Sequence, residues 1–320
     1  MSRVLSAEGA LLERIFDLTH PIWHEGLSRR AYSQWNTAQM RLPWAHAHLN
    51  RFALVDDDGE VLASLKRYRY DVRIDGREGT MCGIGAVFTP PDRRGNGYAS
   101  ELIERVLATE RHDGALIAAL FSEIGTDFYA RLGFSAVPLD EVTVRVRPNK
   151  GGTPAMLVRS GDERDLPLLA ALHNTRSTPA AFALRRDQSQ MQFALAKKRL
   201  FAGLSTPGTR QLEFFVAEEG VMAVAYVALS QNQYGWTLEE CGDRDPTGAR
   251  LGAMFQVLAA REPSRDLPLI RAWWPRTLAV PPQLELADRS DPKDVMMLRP
   301  LADVAVPDPA DVFYWRSDCF

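Results

Sequence analysis

The residues best suited to chemistry lie in one short segment, where two arginines and two glycines precede a helical run. The segment reads Thr89-Pro-Pro-Asp-Arg-Arg-Gly-Asn-Gly-Tyr-Ala-Ser100. Gly95 and Gly97 let the backbone turn tightly because they carry no Cβ atom. The N–H groups that follow can then converge on one anion at a helix start, where the helix dipole adds to the attraction. Arg93 and Arg94 add full positive charge, so the segment predicts a binding site for a pyrophosphate.

Two strands and a helix must position this glycine loop, defined here as residues 94–100. The β-rich run from Met81 to Thr89 leads into the loop. Apolar residues at helical spacing then predict an amphipathic helix from Tyr98 to about residue 112, with Glu110 among the residues facing water. The apolar run Ala115–Phe121 predicts a buried strand parallel to the first. Ligands bind beyond the carboxyl ends of such strands, so Ser122 and Glu123 are expected next to the same ligand.

A known family combines these features. Arg94-Gly-Asn-Gly97-Tyr-Ala99 fits the R-x-x-G-x-G/A signature of the GCN5-related N-acetyltransferases (GNATs), which the chain resembles. About thirty residues further on, Asp127-Phe-Tyr-Ala-Arg-Leu-Gly-Phe134 resembles their second signature, a helix with a Tyr that leads into a Leu-Gly-Phe strand. Two motifs in the right order and spacing are far more specific than either alone.

The second half of the chain repeats the predicted element order of the first. Helices near 162–175, 188–201 and 248–261 alternate with a hairpin over 212–227 and strands at 236–241 and 269–274, which indicates a degenerate internal duplication. The equivalent strand-to-helix loop lacks R-x-x-G-x-G, and its Asp243 and Asp245 would repel a diphosphate. The second half is therefore predicted not to bind the cofactor.

The fold class expected is α/β, with two tandem GNAT-like domains, each a mixed and largely antiparallel sheet flanked by helices, the second degenerate. The predicted boundaries are 1–146 for the catalytic domain, 147–154 for a Pro/Gly-containing linker, 155–300 for the degenerate domain and 301–320 for a tail. The tail ends in several aromatic residues, where a disordered tail would be polar, so we expect it to dock near the active site.

This tandem resembles the enhanced-intracellular-survival acetyltransferases without their sterol-carrier-like domain. Mycothiol synthase is also a tandem, but its motifs lie in the second half. The resemblance implies transfer of an acetyl group from acetyl-CoA to an amine. It assigns the backbone of Val87, Phe88 and Thr89 to the pantetheine arm and residues 95–100 to the pyrophosphate. The implied cofactor-binding set is Val87, Phe88, Thr89, Arg94, Gly95, Asn96, Gly97, Tyr98, Ala99, Ser100, Ser122 and Glu123.

The resemblance also implies catalytic roles. Tyr129 would protonate the departing thiolate, and the C-terminal carboxylate, here that of Phe320, would act as general base. An α-carboxyl group has an ordinary pKa of about 3.5, so it is ionised near neutral pH and could accept a proton through water. Glu123, His46 and His48 are the rival bases, the two histidines being placed on one face of a strand.

The acceptor is not specified beyond an amine. A small molecule such as an aminoglycoside or polyamine, a lysine side chain or a protein N-terminus would each present one. The helical, aromatic-rich residues 7–50 would supply a lid, and Trp23, Trp35 and Trp44 either bind a cationic acceptor or anchor helices on the sheet. A CoA-binding regulator or scaffold without turnover is the alternative function, and a homo-oligomer is compatible with either.

Composition excludes several other classes. The net charge of −3 gives no electrostatic case for nucleic acid as the main partner. No apolar run approaches about 18 residues and no signal peptide is apparent, so we expect a cytoplasmic protein without membrane contact. The three cysteines, Cys82, Cys241 and Cys319, are widely separated, and the six histidines never fall at H-E-x-x-H spacing, so no metal site is predicted.

Overall fold

A computed structural model describes residues 1–148, 155–261 and 269–320. Residues 149–154 of the predicted linker therefore lie outside the described residues. The elements of the first 138 residues are β1 (Arg3–Ser6), α1 (Gly9–Trp23), α2 (Arg29–Met40), α3 (Pro43–His48), β2 (Leu49–Val55), β3 (Val61–Ile74), β4 (Arg77–Phe88), α4 (Tyr98–His112), β5 (Ile117–Ser122), α5 (Asp127–Ala130) and β6 (Ser135–Ala136).

The remaining residues add ten strands and three helices within the described ranges. They are β7 (Glu141–Val146), β8 (Leu157–Ser160), α6 (Leu166–Arg176), β9 (Phe182–Leu184), α7 (Gln188–Leu204), β10 (Arg210–Glu219), β11 (Met222–Asn232), β12 (Gly235–Asp243), α8 (Ala249–Arg261), β13 (Ile270–Trp273), β14 (Leu284–Ser290), β15 (Val295–Pro300) and β16 (Val312–Phe313). Short 3₁₀ turns include Pro91–Arg93 and Arg316–Asp318.

The chain forms two compact units. The first unit comprises Met1–Pro138, Lys293–Pro307 and Phe320, and the second comprises Leu139–Pro292 and Asp308–Cys319. These limits differ from the sequence-based boundaries at residues 146 and 300. Strand β7, from the first half of the chain, joins the sheet of the second unit, and strand β15, from the second half, joins the sheet of the first unit. The hydrophobic pattern of a strand tells which face is buried, and it carries no information about which sheet the strand completes.

The two units contain sheets of matching topology. In the first unit the strand order is β1-β2-β3-β4-β5-β15-β6, and in the second it is β8-β10-β11-β12-β13-β7-β14. Only β4–β5 in the first path and β12–β13 in the second are parallel pairs; the other neighbours are antiparallel. The mixed α/β fold and the tandem arrangement predicted from the sequence are thereby confirmed. The sixth position of each order is held by a strand distant in sequence from the other strands of its unit.

Helix α4 follows the predicted pattern with one exception. Leu102, Ile103 and Leu107 are fully buried against the first unit's sheet, as the helical spacing predicts. The same spacing predicts that Glu110 faces water. This prediction is wrong, because Glu110 is only 3% exposed. Arg69 Nε donates to its carboxylate at 2.8 Å and Arg67 lies 3.4 Å away. Charge pairing between α4 and β3 compensates the burial of the carboxylate, and helical periodicity alone cannot reveal it.

Other local expectations have mixed outcomes. His46 and His48 lie on α3, so their placement on a strand is wrong; Pro43 at the first turn of α3 is typical of a helix start. Cys82 and Cys241 are buried, and burial raises the pKa of both thiols. None of the helices among the described residues has the length and apolar character needed to cross a membrane.

Candidate active site

Strands β4 and β5 separate part-way along their length. Their parallel pairing runs from Met81↔Ile117 to Ile84↔Leu120, and β4 then continues to Phe88. A β-bulge follows at once, because Ser64 and Lys66 of β3 pair with Phe88 and Gly85, and Ala86 has φ 48°. Bulges bend a strand and interrupt its ladder, which accounts for the separation. We call this opening the β4–β5 splay; it leaves backbone groups of β4 beyond Ile84 without partners in β5.

The glycine loop directly follows the splayed end of β4. Gly95 and Gly97 adopt φ 81° and 80°, the left-handed region that the sequence reasoning required of glycine. A Cβ at either position would meet no atom within 4 Å, so both face open space. Asn96 Nδ2 donates to the carbonyl of Arg93 at 3.0 Å, and Arg94 Nε donates to that of Thr89 at 3.3 Å. These bonds hold the loop in a compact turn.

Helix α4 presents its N-terminal amides to this open space. Gly97 is its N-cap residue, no side chain caps the helix, and the first N–H that bonds back is that of Glu101, to the carbonyl of Gly97. The N–H groups of the first turn have no intrahelical partner. Their dipole favours an anion, and the exposed Arg94 adds charge. The loop therefore has the donors, the charge and the free volume that a pyrophosphate group needs.

Tyr129 lies on α5, the short helix that follows β5. Its side chain is 7% exposed and packs edge-on against Phe128, with ring centroids 4.9 Å apart, and against Phe134 at 6.2 Å. Burial raises the pKa of the Tyr129 phenol to about 12, so the group stays protonated throughout the neutral range. Its assignment as general acid stays a prediction.

Phe320 packs against the strands of the splay. Its ring centroid lies 5.0 Å from that of Tyr68, 5.6 Å from Tyr70 and 5.4 Å from Phe121. A Cβ at Gly83 would come within 2.7 Å of the Phe320 ring, and a Cβ at Gly85 within 3.3 Å of its terminal carbon and oxygen. The α-carboxylate therefore lies over Gly85, one residue past the last β4–β5 pair.

Gly83 and Gly85 were not among the predicted site residues. A glycine within a strand often marks a close approach of another group, and the Gly-Ile-Gly repeat inside an otherwise apolar strand carried that signal. What the strand pattern could not provide was the identity of the approaching group, because Phe320 is more than two hundred residues away in the sequence.

The two polar residues at the end of β5 have different surroundings. Ser122 is 1% exposed and its hydroxyl donates to the carbonyl of Gly125, so its side chain closes the turn after β5. Glu123 is exposed and pairs with Lys293 at 3.7 Å. Contact of either with a cofactor stays a prediction.

The three tryptophans of the N-terminal helices differ in their ring contacts. Trp44 is 5% exposed and its ring stacks on both His48 and Tyr70, at 5.0 and 4.8 Å. Trp35 has Lys66 Nζ 5.7 Å from its ring centre, and Trp23 contacts Phe88 edge-on. Trp44 is thus buried and stacked on two neighbouring rings, which favours an anchoring role over cation binding at that position.

The second unit has a splay at the equivalent place. Pairing between β12 and β13 ends at Leu238↔Ala272, while β12 continues to Asp243. The carboxylate of Asp243 accepts the N–H of Leu251, in the first turn of α8, at 2.9 Å, and that of Asp245 at 2.8 Å. An aspartate therefore takes the amides that would otherwise be open to a phosphate, which supports the prediction that this unit does not bind the cofactor.

Among the described residues there is no group of three or more His, Cys, Asp or Glu that could hold a metal ion.

Residues 24–137 match the family model described as the acetyltransferase (GNAT) domain. This segment belongs to the GNAT acetyltransferases. The match spans α2 to β6 and so includes the splay, the glycine loop and Tyr129. The GNAT domain supports assignment of the protein as an acyltransferase.

Solved structures share the fold of the whole tandem. A GCN5-related N-acetyltransferase from Anabaena variabilis matches with a TM-score of 0.69 at 12% identity, over 94% of this chain and 73% of that chain. A second, from Kribbella flavida, matches with 0.67 at 18% over 93% and 70%. Eis1 from Mycobacterium abscessus matches with 0.59 at 14% over 94% and 74%. A comparison with curated proteins gave no significant match.

Proposed function

We propose that this GNAT protein transfers an acetyl group from acetyl-CoA to a primary amine of a small molecule or peptide. The observation that carries the proposal is the β4–β5 splay, which is followed directly by a loop of free amides at a helix start. The backbone of Val87, Phe88 and Thr89, which has no partner in β5, would bond the pantetheine arm as an added strand. Residues 94–100 would bind the pyrophosphate, whose charge suits the helix N-terminus and Arg94.

The proposed reaction needs one base and one acid. The amine nitrogen attacks the thioester carbonyl, the carbon–sulfur bond breaks, and the amine proton passes to the Phe320 α-carboxylate, directly or through a water molecule. The departing thiolate takes the phenolic proton of Tyr129. Because burial raises the pKa of Tyr129 to about 12, the phenol is fully protonated at neutral pH but a weak acid. Close placement at the sulfur therefore matters more than acidity.

The proposal is tested by measuring thiol release from acetyl-CoA with a panel of amines, together with the mass of the acetylated product. Tyr129→Phe and a variant with one alanine added after Phe320 should both lower kcat while the Kd for acetyl-CoA stays within about twofold. Retention of full kcat in both variants would contradict the assigned roles. Tight binding of acetyl-CoA without thiol release from any amine would instead favour a CoA-binding regulator or scaffold.

We specify the acceptor substrate only as a primary amine. The aromatic side chains around Phe320 provide an apolar surface beside a carboxylate, which suits an amine carried on an apolar or aromatic body as well as a cation. Acyl groups other than acetyl are tested by the same thiol assay with longer acyl-CoA donors. A homo-oligomeric state stays a prediction that size measurement in solution addresses.

A further inference from the structure

A fully buried ion cluster in the second unit holds the residues that precede Phe320. Arg186 and Glu240 have no exposed side-chain surface, and Asp318 has 2%. Arg186 Nη1 lies 2.5 Å from the Glu240 carboxylate, and Nη2 lies 2.5 Å from that of Asp318. Ser317 completes the cluster, because its hydroxyl donates to Glu240 and accepts from Arg186 at 3.1 Å. One arginine thus joins β12 to the last 3₁₀ turn of the chain.

A second contact lies one residue closer to the C-terminus. Lys197 on α7 is buried, and its Nζ donates to the backbone carbonyl of Cys319 at 2.7 Å. This carbonyl belongs to the peptide bond that carries Phe320. Inside the tail, the Tyr314 hydroxyl donates to the carbonyl of Asp318 at 2.9 Å. Residues 317–319 are therefore each fixed by at least one hydrogen bond from a buried side chain.

These tail residues occupy the splay of the second unit. Glu240 follows the last β12–β13 pair by two residues, and the tail side chains reach the end of β13 as well. Trp315 is 0% exposed and meets Trp274 edge-on at 6.1 Å, while the Arg316 guanidinium lies 5.2 Å from the ring centre of Trp273. In the first unit the corresponding opening leads to the glycine loop, and Phe320 alone of the tail contacts its strands. The second unit has filled it with its own C-terminal segment.

We infer that the second unit's splay serves as an anchor for the tail, with Arg186 and Lys197 as positioning residues that fix where the Phe320 α-carboxylate lies. The catalytic part of this inference rests on the proposed role of Phe320 as general base. The tail anchor, defined as Arg186, Lys197 and Glu240, touches no reacting atom. It acts through Asp318 and Cys319, and one peptide bond links Cys319 to Phe320.

The anchor holds the tail through buried, charged hydrogen bonds, which depend on geometry more strictly than apolar packing does. Hydrogen bonds to charged groups are stronger than neutral ones, and buried ions without partners are strongly unfavourable. If the tail detached, Arg186 would lose Asp318, and Lys197 would lose the carbonyl of Cys319. The tail is therefore held by an interaction that depends on correct placement of its last turn, which is the property needed to place a terminal carboxylate reproducibly.

The test compares two neighbouring lysines on α7. Lys197→Met removes the donor to Cys319 and puts an uncharged side chain at position 197. Lys198→Met is the matched control, because Lys198 is 31% exposed and pairs with Glu239 at 3.4 Å, which is not part of the tail. Asp318→Asn is a second test variant that keeps the side-chain shape and leaves Arg186 paired with Glu240. Deletion of Phe320 supplies the reference for complete loss of the carboxylate from its site.

Two measurements are made on each folded variant of the full chain. Carboxypeptidase A, which removes C-terminal aromatic residues, reports how firmly Phe320 is held, whether or not the protein is an enzyme. Steady-state thiol release gives kcat and the KM for acetyl-CoA. We expect Lys197→Met and Asp318→Asn to release phenylalanine about tenfold faster than wild type and to lower kcat about tenfold with KM unchanged. Lys198→Met should stay within twofold in all three quantities.

The outcomes separate the inference from the proposed function. Equal release rates for Lys197→Met, Asp318→Asn and Lys198→Met would overturn the anchor. Faster release with unchanged kcat, while deletion of Phe320 lowers kcat, would overturn positioning. If deletion of Phe320 itself leaves kcat unchanged, the base role proposed above fails, whereas faster release from the test variants would still support the anchor.

Discussion

Gly83→Ala should displace the terminal residue from its position over β4. The added Cβ would lie 2.7 Å from the Phe320 Cζ atom and 3.0 and 3.1 Å from its two Cε atoms. Ordinary contacts between carbon atoms are at least about 3.5 Å. Gly83 is paired on both sides, to Tyr68 of β3 and Ala119 of β5. The backbone cannot yield easily, so the ring must move.

The size of the effect follows from these distances. Restoring normal contact requires the ring to shift by about 0.8 Å, and misplacement of a reacting group by about 1 Å can lower a rate by about 10²-fold. Because the carboxylate is attached to the same residue, we expect kcat to fall by about 10- to 100-fold. The Kd for acetyl-CoA should change less than threefold, because Gly83 lies before the splay and away from the glycine loop.

A matched control lies on the same strand. A Cβ at Gly79 would come within 2.6 Å of the Leu116 side chain, an equally tight contact with a residue that has no proposed role. Gly79→Ala should lower stability by about 1–3 kcal/mol, as overpacking does, and leave kcat within twofold. The assay is thiol release at saturating acetyl-CoA, with thermal melting to verify folding.

The double variant Gly83→Ala/Phe320→Leu provides a further check. Leucine keeps the terminal carboxylate and removes the ring atoms that meet the new Cβ, so the two substitutions should be strongly non-additive and kcat should recover relative to Gly83→Ala. If Gly83→Ala alone keeps kcat within twofold of wild type, the position of Phe320 does not matter for turnover and the reasoning is refuted.

Three other predictions follow from individual groups. Tyr129→Phe should lower kcat about 10²-fold. Because the pKa of Tyr129 is raised to about 12, the wild-type kcat should show no loss attributable to this phenol up to pH 10. A decline in kcat below pH 10 that Tyr129→Phe abolishes would contradict this prediction. Gly97→Ala places a Cβ at φ 80°, which costs about 1–2 kcal/mol, so the Kd for acetyl-CoA measured by calorimetry should rise about 5- to 20-fold with little change in kcat at saturation. Burial lowers the pKa of Lys197 to about 8, below the value near 10.4 of an unfolded chain, so the unfolded state binds more protons between these values and stability should rise with pH across that window. Lys197→Met should therefore raise the melting temperature at pH 7 and flatten its rise towards pH 10; an unchanged pH dependence would show that Lys197 is not the group responsible.

The local features of the first unit could largely be predicted from the sequence. Glycine in the left-handed region, the amphipathic pattern of α4 and the apolar run of β5 are properties of neighbouring residues, and each follows from backbone sterics or burial. The order of elements in both halves likewise predicted the tandem. Local rules suffice where the determining contacts lie within one helix, strand or turn.

Features that depend on distant residues were missed. Strands β7 and β15 complete the sheet of the other half of the chain, and nothing in their own residues specifies this pairing. The burial of Glu110 depends on arginines about forty residues away. No motif or periodicity around Arg186 indicates its role, although its partners Glu240 and Asp318 make it the centre of the tail anchor. Ion pairs of this kind become visible only when the fold brings the partners together.

We propose above that the β4–β5 splay and the glycine loop hold acetyl-CoA for transfer to an amine. Calorimetric titration of the protein with acetyl-CoA, followed by thiol release from the same sample on addition of amines, tests it most directly. We expect one acetyl-CoA bound per chain, binding weakened by Gly97→Ala but not by Asp243→Asn in the second unit, and release of one thiol for each acetylated amine. Binding that is absent, or that survives Gly97→Ala and is altered by Asp243→Asn, would contradict it.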